Sequence, residues 1–320
     1  MEKIKKIAFS LLFVMTAAPA VAQRVETVPF GDFEHWTVRH VKESAILGGN
    51  VRTVYVIGPD EVIEGSKPYD YNKTVWASSN AVAKVMGITK TSTTVTPDNG
   101  PSGKCAKLAT DFASCRVAGL VDIKVLAQGS IYWGRMLEPV TGVNDPYAFM
   151  DWGIPFSGHP EALLLDYKAV VSTSGMLTKG TTFSSTTFPG DDPEEIMLIL
   201  QRRWEDADGK IHAERVGTAF YYIHKSSDGW VKDLRVPVIY GDARKSPDYK
   251  PYMALLDDSR PLYAVNRAGK VQRIQEEGWA KEGTACTHAV LSITSGSHGS
   301  FTGAVGNVLW VDNIRLEYGR

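Results

Sequence analysis

The chain has little net charge, few cysteines and no long apolar run, and each shortage closes off a class of function. Its 35 basic and 36 acidic residues leave a formal charge of −1. There is therefore no basic footprint for a nucleic acid and no acidic tail. Three cysteines in 320 residues are too few for a disulfide-built scaffold. No Cys/His spacing resembles a zinc site. No apolar stretch reaches the ~20 residues that a membrane span needs. The nucleophile-elbow and His-Glu-x-x-His motifs are both absent.

What is present begins at the N-terminus. Lys3, Lys5 and Lys6 precede an apolar run from Ile7 to Ala18, and Pro19-Ala-Val-Ala22 follows before Gln23. A positive start, an apolar centre and a small-x-small step read as an export signal over residues 1–22, cut after Ala22. No cysteine follows the apolar run, so a lipid anchor there is not expected. The expected location is exported: periplasm, cell surface or extracellular.

The remainder is patterned as strands. Val28 to His40, Val51 to Ile57, Thr89 to Thr96, Leu163 to Ser172, Glu195 to Trp204, Ala213 to His224 and Val231 to Tyr240 are rich in β-branched and aromatic residues. Glu205-Asp-Ala-Asp-Gly-Lys210 and Ser226-Ser-Asp-Gly229 read as hairpin turns. Val121 to Ala127 reads equally as strand or short helix. Thr178 to Asp192 reads as a long loop. Val271 to Trp279, with apolar Val271, Ile274 and Trp279, reads as a weak amphipathic helix within the span Asp257 to Gly283, which departs from the strand pattern around it. At the C-terminus, Ala289 to Thr294 and Val308 to Tyr318 read as neighbouring antiparallel strands joined by a Ser/Gly-rich rim loop. Cys105 and Cys115 share pleat parity across an expected hairpin at Thr110-Asp111, as a disulfide or as two buried thiols; Cys286 has no obvious partner. One all-β domain from residue 27 to 320, a two-sheet sandwich, accounts for the pattern.

Eight tryptophans are many for this length. Sugars present flat C–H faces that stack on Trp, while their hydroxyls need polar partners in a concave site. A large sandwich also uses Trp as core filler. Asn80, Asp151, Lys168, Gln201 and Arg203 are candidate hydroxyl partners, the charged ones the stronger. Glycoside hydrolysis requires two carboxylates across the scissile bond. No Glu-x-Asp-x-x-Glu strand occurs, and Glu194, Glu195, Glu205, Asp206 and Asp208 read as solvated residues at turns or strand starts.

An ordered set of motifs carries a resemblance. Gly31-Asp-Phe-Glu-x-Trp36, Val75-Trp-Ala-Ser-Ser-Asn80, Gly129-Ser-Ile-Tyr-Trp-Gly134 and Gly153-Ile-Pro-Phe156 with Leu165-Asp-Tyr-Lys168 lead to a closing run. That run is Ser295-Gly-Ser-x-Gly-Ser-Phe-Thr-Gly-Ala-Val-Gly-Asn307, then x-Leu-x-Val-Asp-Asn-Ile-x-Leu316. Together they resemble the putative carbohydrate metabolism domain (PCMD) family, secreted proteins of Bacteroidetes, from about residue 30 to the end. The resemblance implies a jelly-roll β-sandwich related to carbohydrate-binding modules and jelly-roll glycoside hydrolases. It favours Trp76, Trp133 and Trp152 as sugar platforms and sets Lys168, after Tyr167, near a concave-face pocket. Asn80, Asp151 and Gln201 complete the expected carbohydrate-binding set.

Many jelly-roll carbohydrate modules also open on Phe-Glu and close on Val-Asp-Asn, where the two carboxylates help hold a structural calcium. Phe33-Glu34 and Val311-Asp312 stand in matching places, so Glu34 and Asp312 are candidate metal ligands; a capping pair without metal is the other reading. The functional expectation is an exported glycan-recognition protein with an oligo- or polysaccharide partner. A jelly-roll glycoside hydrolase, with Asp151 as the first carboxylate to mutate, is an alternative. A surface adhesion or assembly subunit with an outer-membrane or surface protein partner is another.

Overall fold

A computed structural model describes residues 24–85, 87–117, 121–142, 145–181 and 184–319, and of residues 113–117, 121–124 and 181 the backbone alone. The expected export signal lies outside these residues, as does the Cys115 side chain. Among the described residues the regular elements are strands and four short 3-10 turns. None is a helix long and apolar enough to cross a membrane.

Two large sheets pack face to face as a jelly-roll β-sandwich. The first runs Val231–Pro237, Pro160–Val170, Val308–Tyr318, Lys104–Ala109 and Val95–Asn99, with Arg24–Thr27 also paired to Val308–Tyr318. The second, ten-stranded sheet runs Met150–Trp152, Ser130–Met136, His288–Thr294, Glu194–Glu205, Ile211–Ile223, Val271–Trp279 and Tyr263–Val265 along its main path.

The reason for this layering is visible in Glu194–Glu205. Successive side chains of a strand point to opposite faces. Ile196, Leu198 and Leu200 point between the sheets, against Leu163, Leu309 and Val311. Met197 and Ile199 point the other way, into a second apolar cluster with Val290 and Phe220. Each such buried side chain contributes roughly 1.5–3 kcal/mol. A strand covered on both sides reads as a continuous apolar run rather than as an alternation. The second sheet therefore has an outer face that is itself roofed, and that roof creates the site.

Several expectations are corrected. His288–Thr294 and Val308–Tyr318 lie in opposite sheets, each paired with other strands. The Ser/Gly loop between them crosses the sandwich edge instead of closing a hairpin. Val231–Pro237 likewise leaves the second sheet and pairs with Pro160–Val170, so Ser226 to Gly229 is also a crossing. Both sheets offer apolar inner faces, so pleat parity alone does not say which one a strand joins. Val271–Trp279 is a strand lying parallel to Ile211–Ile223, not a helix. Its Ile274 and Glu276 are gathered by the neighbouring strand. The expected loop over Thr178 to Asp192 contains the paired strands Met176–Thr181 and Ser184–Pro189. Val121–Ala127 is a strand. Lys104–Ala109 belongs to the first sheet, whereas Asp111–Val117 pairs with Val121–Ala127. The expected Cys105/Cys115 hairpin is thus not formed, and Cys105 and Cys286 are buried free thiols.

The Glu194–Glu205/Ile211–Ile223 hairpin stands as expected. Its turn uses Gly209 at φ +78°, a conformation open to glycine at no steric cost. Asp206 Oδ1 accepts from the Asp208 and Lys210 amides at 2.9 Å each.

Candidate functional site

Over the outer face of the ten-stranded sheet lies a cleft of about 760 Å³. The register builds its floor. Ser130, Thr294, Glu195 and Tyr222 lie side by side on four neighbouring strands. Two residues along, Tyr132, Ser292, Met197 and Phe220 form the adjacent row. Neighbouring strands lie ≈ 4.8 Å apart, so a mainly polar row runs beside a more apolar one across the sheet.

Glu195 is 1% exposed and lines the cleft. Its Oε1 is bound by Arg260 Nη2, and its Oε2 has no hydrogen-bond partner. Arg260 also lies 5.5 Å from the Phe220 ring centre. Burial beside the Glu195 charge pushes the Tyr222 phenol well above its ordinary value. The Tyr222 ring stacks on Tyr252 at 4.0 Å. Arg260 and Tyr252 come from the 251–262 segment that roofs the floor.

The Ser/Gly loop forms a second wall through Gly296 to Phe301. Asp192 holds it, accepting the Ser297 amide at 2.8 Å and the Ala304 amide at 2.7 Å. Burial nevertheless raises the Asp192 carboxyl above its ordinary range. The hairpin Ala81–Val85/Ile88–Ser92 supplies a third, apolar wall.

The expected site residues divide. Trp152 lines the cleft; it is 4% exposed, lies 4.4 Å from Tyr132 between ring centres, and leaves its Nε1 without a partner. Trp76 and Trp133 do not join it. They are 0% and 2% exposed, lie in the sandwich core and meet edge-on at 6.2 Å. Rings packed between the sheets offer no face to a ligand, so these two are core.

Asn80 is fully engaged. Its Nδ2 donates to Tyr55 O and Val95 O, and its Oδ1 accepts from the Thr94 and Val95 amides. Asp151 accepts from Arg135 Nε at 2.7 Å and from the Val265 amide at 2.8 Å, which fixes it as a brace beside Trp152. Gln201 is 0% exposed; it donates to Glu276 Oε1 at 2.6 Å and accepts from Arg203 Nε at 2.7 Å. Arg203 in turn donates to Trp152 O at 2.8 Å. Burial pulls the Arg203 guanidinium down to about 10. Asp151, Gln201 and Arg203 thus surround Trp152 without lining the cleft. Lys168 is in the other sheet, its Nζ 4.0 Å from the Trp310 ring centre, and takes no part here. Its pairing with Trp310 is a cation–π contact on a different surface.

Glu195, Arg260 and Tyr222 were missed by reading the sequence. Pleat parity could have found Glu195, since it shares a face with Met197 and Ile199. Arg260 sits early in the span Asp257 to Gly283, outside any strand.

The pair expected to bind metal sits at the far sheet. Asp312 is 1% exposed, and its Oδ2, like Asp32 Oδ1, is buried without a partner. Burial, with the nearby Asp166, Glu34 and Asp32 charges, pushes Asp312 up to about 7. Glu34 Oε1 accepts the Lys104 amide at 3.0 Å. Orphaned carboxylate oxygens suit a hard cation. Among the described residues, however, no group of three or more His, Cys, Asp or Glu side chains is disposed to hold one.

No curated protein matches this chain. It is similar to the crystal structure of a putative glycoside hydrolase from Bacteroides thetaiotaomicron VPI-5482, with 19% identity and a TM-score of 0.47, over 89% of this chain and 71% of the other. It is also similar to that of a putative glycoside hydrolase from Bacteroides vulgatus ATCC 8482, with 14% identity and a TM-score of 0.42, over 92% and 94% of the two chains. The sequence model of the putative carbohydrate metabolism domain matches residues 32–242, and the chain belongs to that family.

Proposed function

We propose that this is an exported glycan-recognition protein that binds a saccharide in the cleft over the ten-stranded sheet. One observation carries the reading: Trp152, Phe220 and Tyr252 border a cavity whose floor holds the Ser130–Thr294–Glu195 row. Aromatic rings beside a few placed polar groups are what a sugar ring needs. Membership of a carbohydrate-metabolism family agrees with it.

A glycan array followed by calorimetry on the purified chain tests the reading. Millimolar or tighter binding, lost when Trp152 is replaced by Ala, supports it; silence across the array rejects it. The hydrolase reading has one observation in its favour, since Glu195 and Asp257 both line the cleft. Release of reducing ends that stops on replacing either residue would establish it. Asp151, already bound to Arg135 and the Val265 amide, is the weaker choice for that role.

A structural calcium is part of the same proposal. Of the expected pair Glu34 and Asp312, Asp312 would hold it through its unpartnered Oδ2, with Asp32 Oδ1 as a second side-chain oxygen; backbone carbonyls or water would have to supply the rest of the shell.

A further inference from the structure

We propose that the cleft selects an uncharged saccharide over a uronate or sulfated one, and that Glu195 is the acceptor that makes the choice. This rests on the glycan reading above and adds the ligand's charge class to it.

The first argument is charge pairing. An acidic sugar needs an available cation. Among the described residues, the Lys and Arg side chains lining the cleft are Lys90 and Arg260. Lys90 Nζ lies 3.1 Å from Glu43 Oε1, and Arg260 is bound to Glu195. His298 turns its Nε2 to Asp191 O at 2.8 Å. Glu195 and Asp257 add two carboxylates to the lining. Every cation is matched, and the surplus charge is negative. An incoming carboxylate would lose its water and meet repulsion in exchange.

The second argument is the pair of unmatched polar atoms. Glu195 Oε2 has no donor at hydrogen-bonding geometry, the neighbouring Tyr222 hydroxyl included, and Trp152 Nε1 is a donor without an acceptor. A buried polar group left unpaired is costly, so a ligand that pairs it gains accordingly. Hydroxyls satisfy both, because each can donate and accept. A carboxylate or sulfate can only accept, and therefore cannot serve Glu195. The rest of the lining is dominated by groups such as Ala81, Ala83, Val85, Met197 and Phe220. That suits the C–H face of a neutral ring, and the Ser, Thr and Gln128 groups among it offer an anion hydrogen bonds but no free cation.

Calorimetry with gluco-, galacto- and manno-oligosaccharides against oligogalacturonates of matched length decides the matter. At least one neutral series is expected to bind tenfold or more tightly than the acidic one at low salt. Glu195→Gln should shrink that ratio about tenfold, because it removes the repelling charge and leaves the Arg260 charge free. A purely structural Glu195 would weaken both series alike. Removing one partner of a buried pair can also unfold a protein; if Glu195→Gln does not fold, the double variant E195Q/R260M removes both charges and should likewise lose the discrimination. Tighter binding of the acidic series overturns the proposal while leaving the glycan reading intact. An unchanged ratio in the folded variant overturns the role of Glu195. No binding of either series rejects the glycan reading and this proposal with it.

Discussion

Asp192 accepts the backbone N–H of Ala304 at 2.7 Å, while its other oxygen takes the Ser297 amide at 2.8 Å. One buried carboxylate thus ties two points of the Ser/Gly loop that crosses between the sheets. Asn307 Nδ2 adds a bond to Asp192 O at 2.7 Å. The loop's many glycines would otherwise leave this wall of the cleft poorly ordered. Asp192→Ala should therefore leave two amides without their acceptor, at about 1–3 kcal/mol for each that water cannot reach. The expected result is a lower melting temperature and weaker ligand binding together. Full stability in that variant would show that the loop holds itself.

Glu194, the neighbour of Glu195, points the opposite way and is 0% exposed, with neither carboxyl oxygen partnered. Burial, then the charge of Asp192, pushes its carboxyl up to about 9. The sign follows from proton binding. Between the ordinary carboxylate range and about pH 9 the folded state holds this proton and the unfolded chain does not. Stability therefore falls as pH rises through that window. Glu194→Gln removes the titration, so its melting temperature should match the wild type near pH 4 and exceed it at pH 9. Parallel pH–stability curves for the two proteins would contradict this.

Adjacent glutamates with opposite fates show what could be read from the residues and what could not. The all-β class, long strands such as Glu194–Glu205 and Ile211–Ile223, and the Glu205-to-Lys210 turn follow from β-branched runs and turn chemistry, which act locally. Sheet membership does not, because Val308–Tyr318 carries an apolar face that either sheet would accept. Trp76, Trp133 and Trp152 look alike in sequence, each beside small or polar residues. The first two fill the core and the third lines the cleft, a difference set by which face of a strand is roofed. Asn80 and Gln201 read as partners for sugar hydroxyls, but protein partners take up both side chains. Such residues are more often consumed by backbone and side-chain partners than left for a ligand. Arg260 had no pattern around it at all, and only tertiary packing brings it to Glu195.

The three tryptophans yield a separation that binding and melting data can read. Trp133→Ala should open a cavity between the sheets and cost about 3–5 kcal/mol of stability. Trp152→Ala should also cost stability through its contact with Tyr132, and in addition should weaken saccharide binding. Comparing the folded fractions at low temperature isolates the second effect. If Trp133→Ala, folded, lost affinity while Trp152→Ala kept it, the cleft would be the wrong site.

The Asp312 cluster makes the calcium proposal sensitive to pH. Burial and the Asp166, Glu34 and Asp32 charges hold Asp312 up to about 7. Without a cation, folding is penalised as pH rises from the ordinary Asp range to about 7, and the full penalty applies above it. A bound calcium favours the charged carboxylate and should offset that loss. Dialysis against a chelator should therefore lower the melting temperature more at pH 8 than at pH 5, where Asp312 is protonated and the metal site is weakened. Asp312→Asn should abolish the difference. If chelation leaves the melting temperature unmoved at both pH values, the carboxylates share protons rather than a metal, and the capping reading of Glu34 and Asp312 is the one that survives.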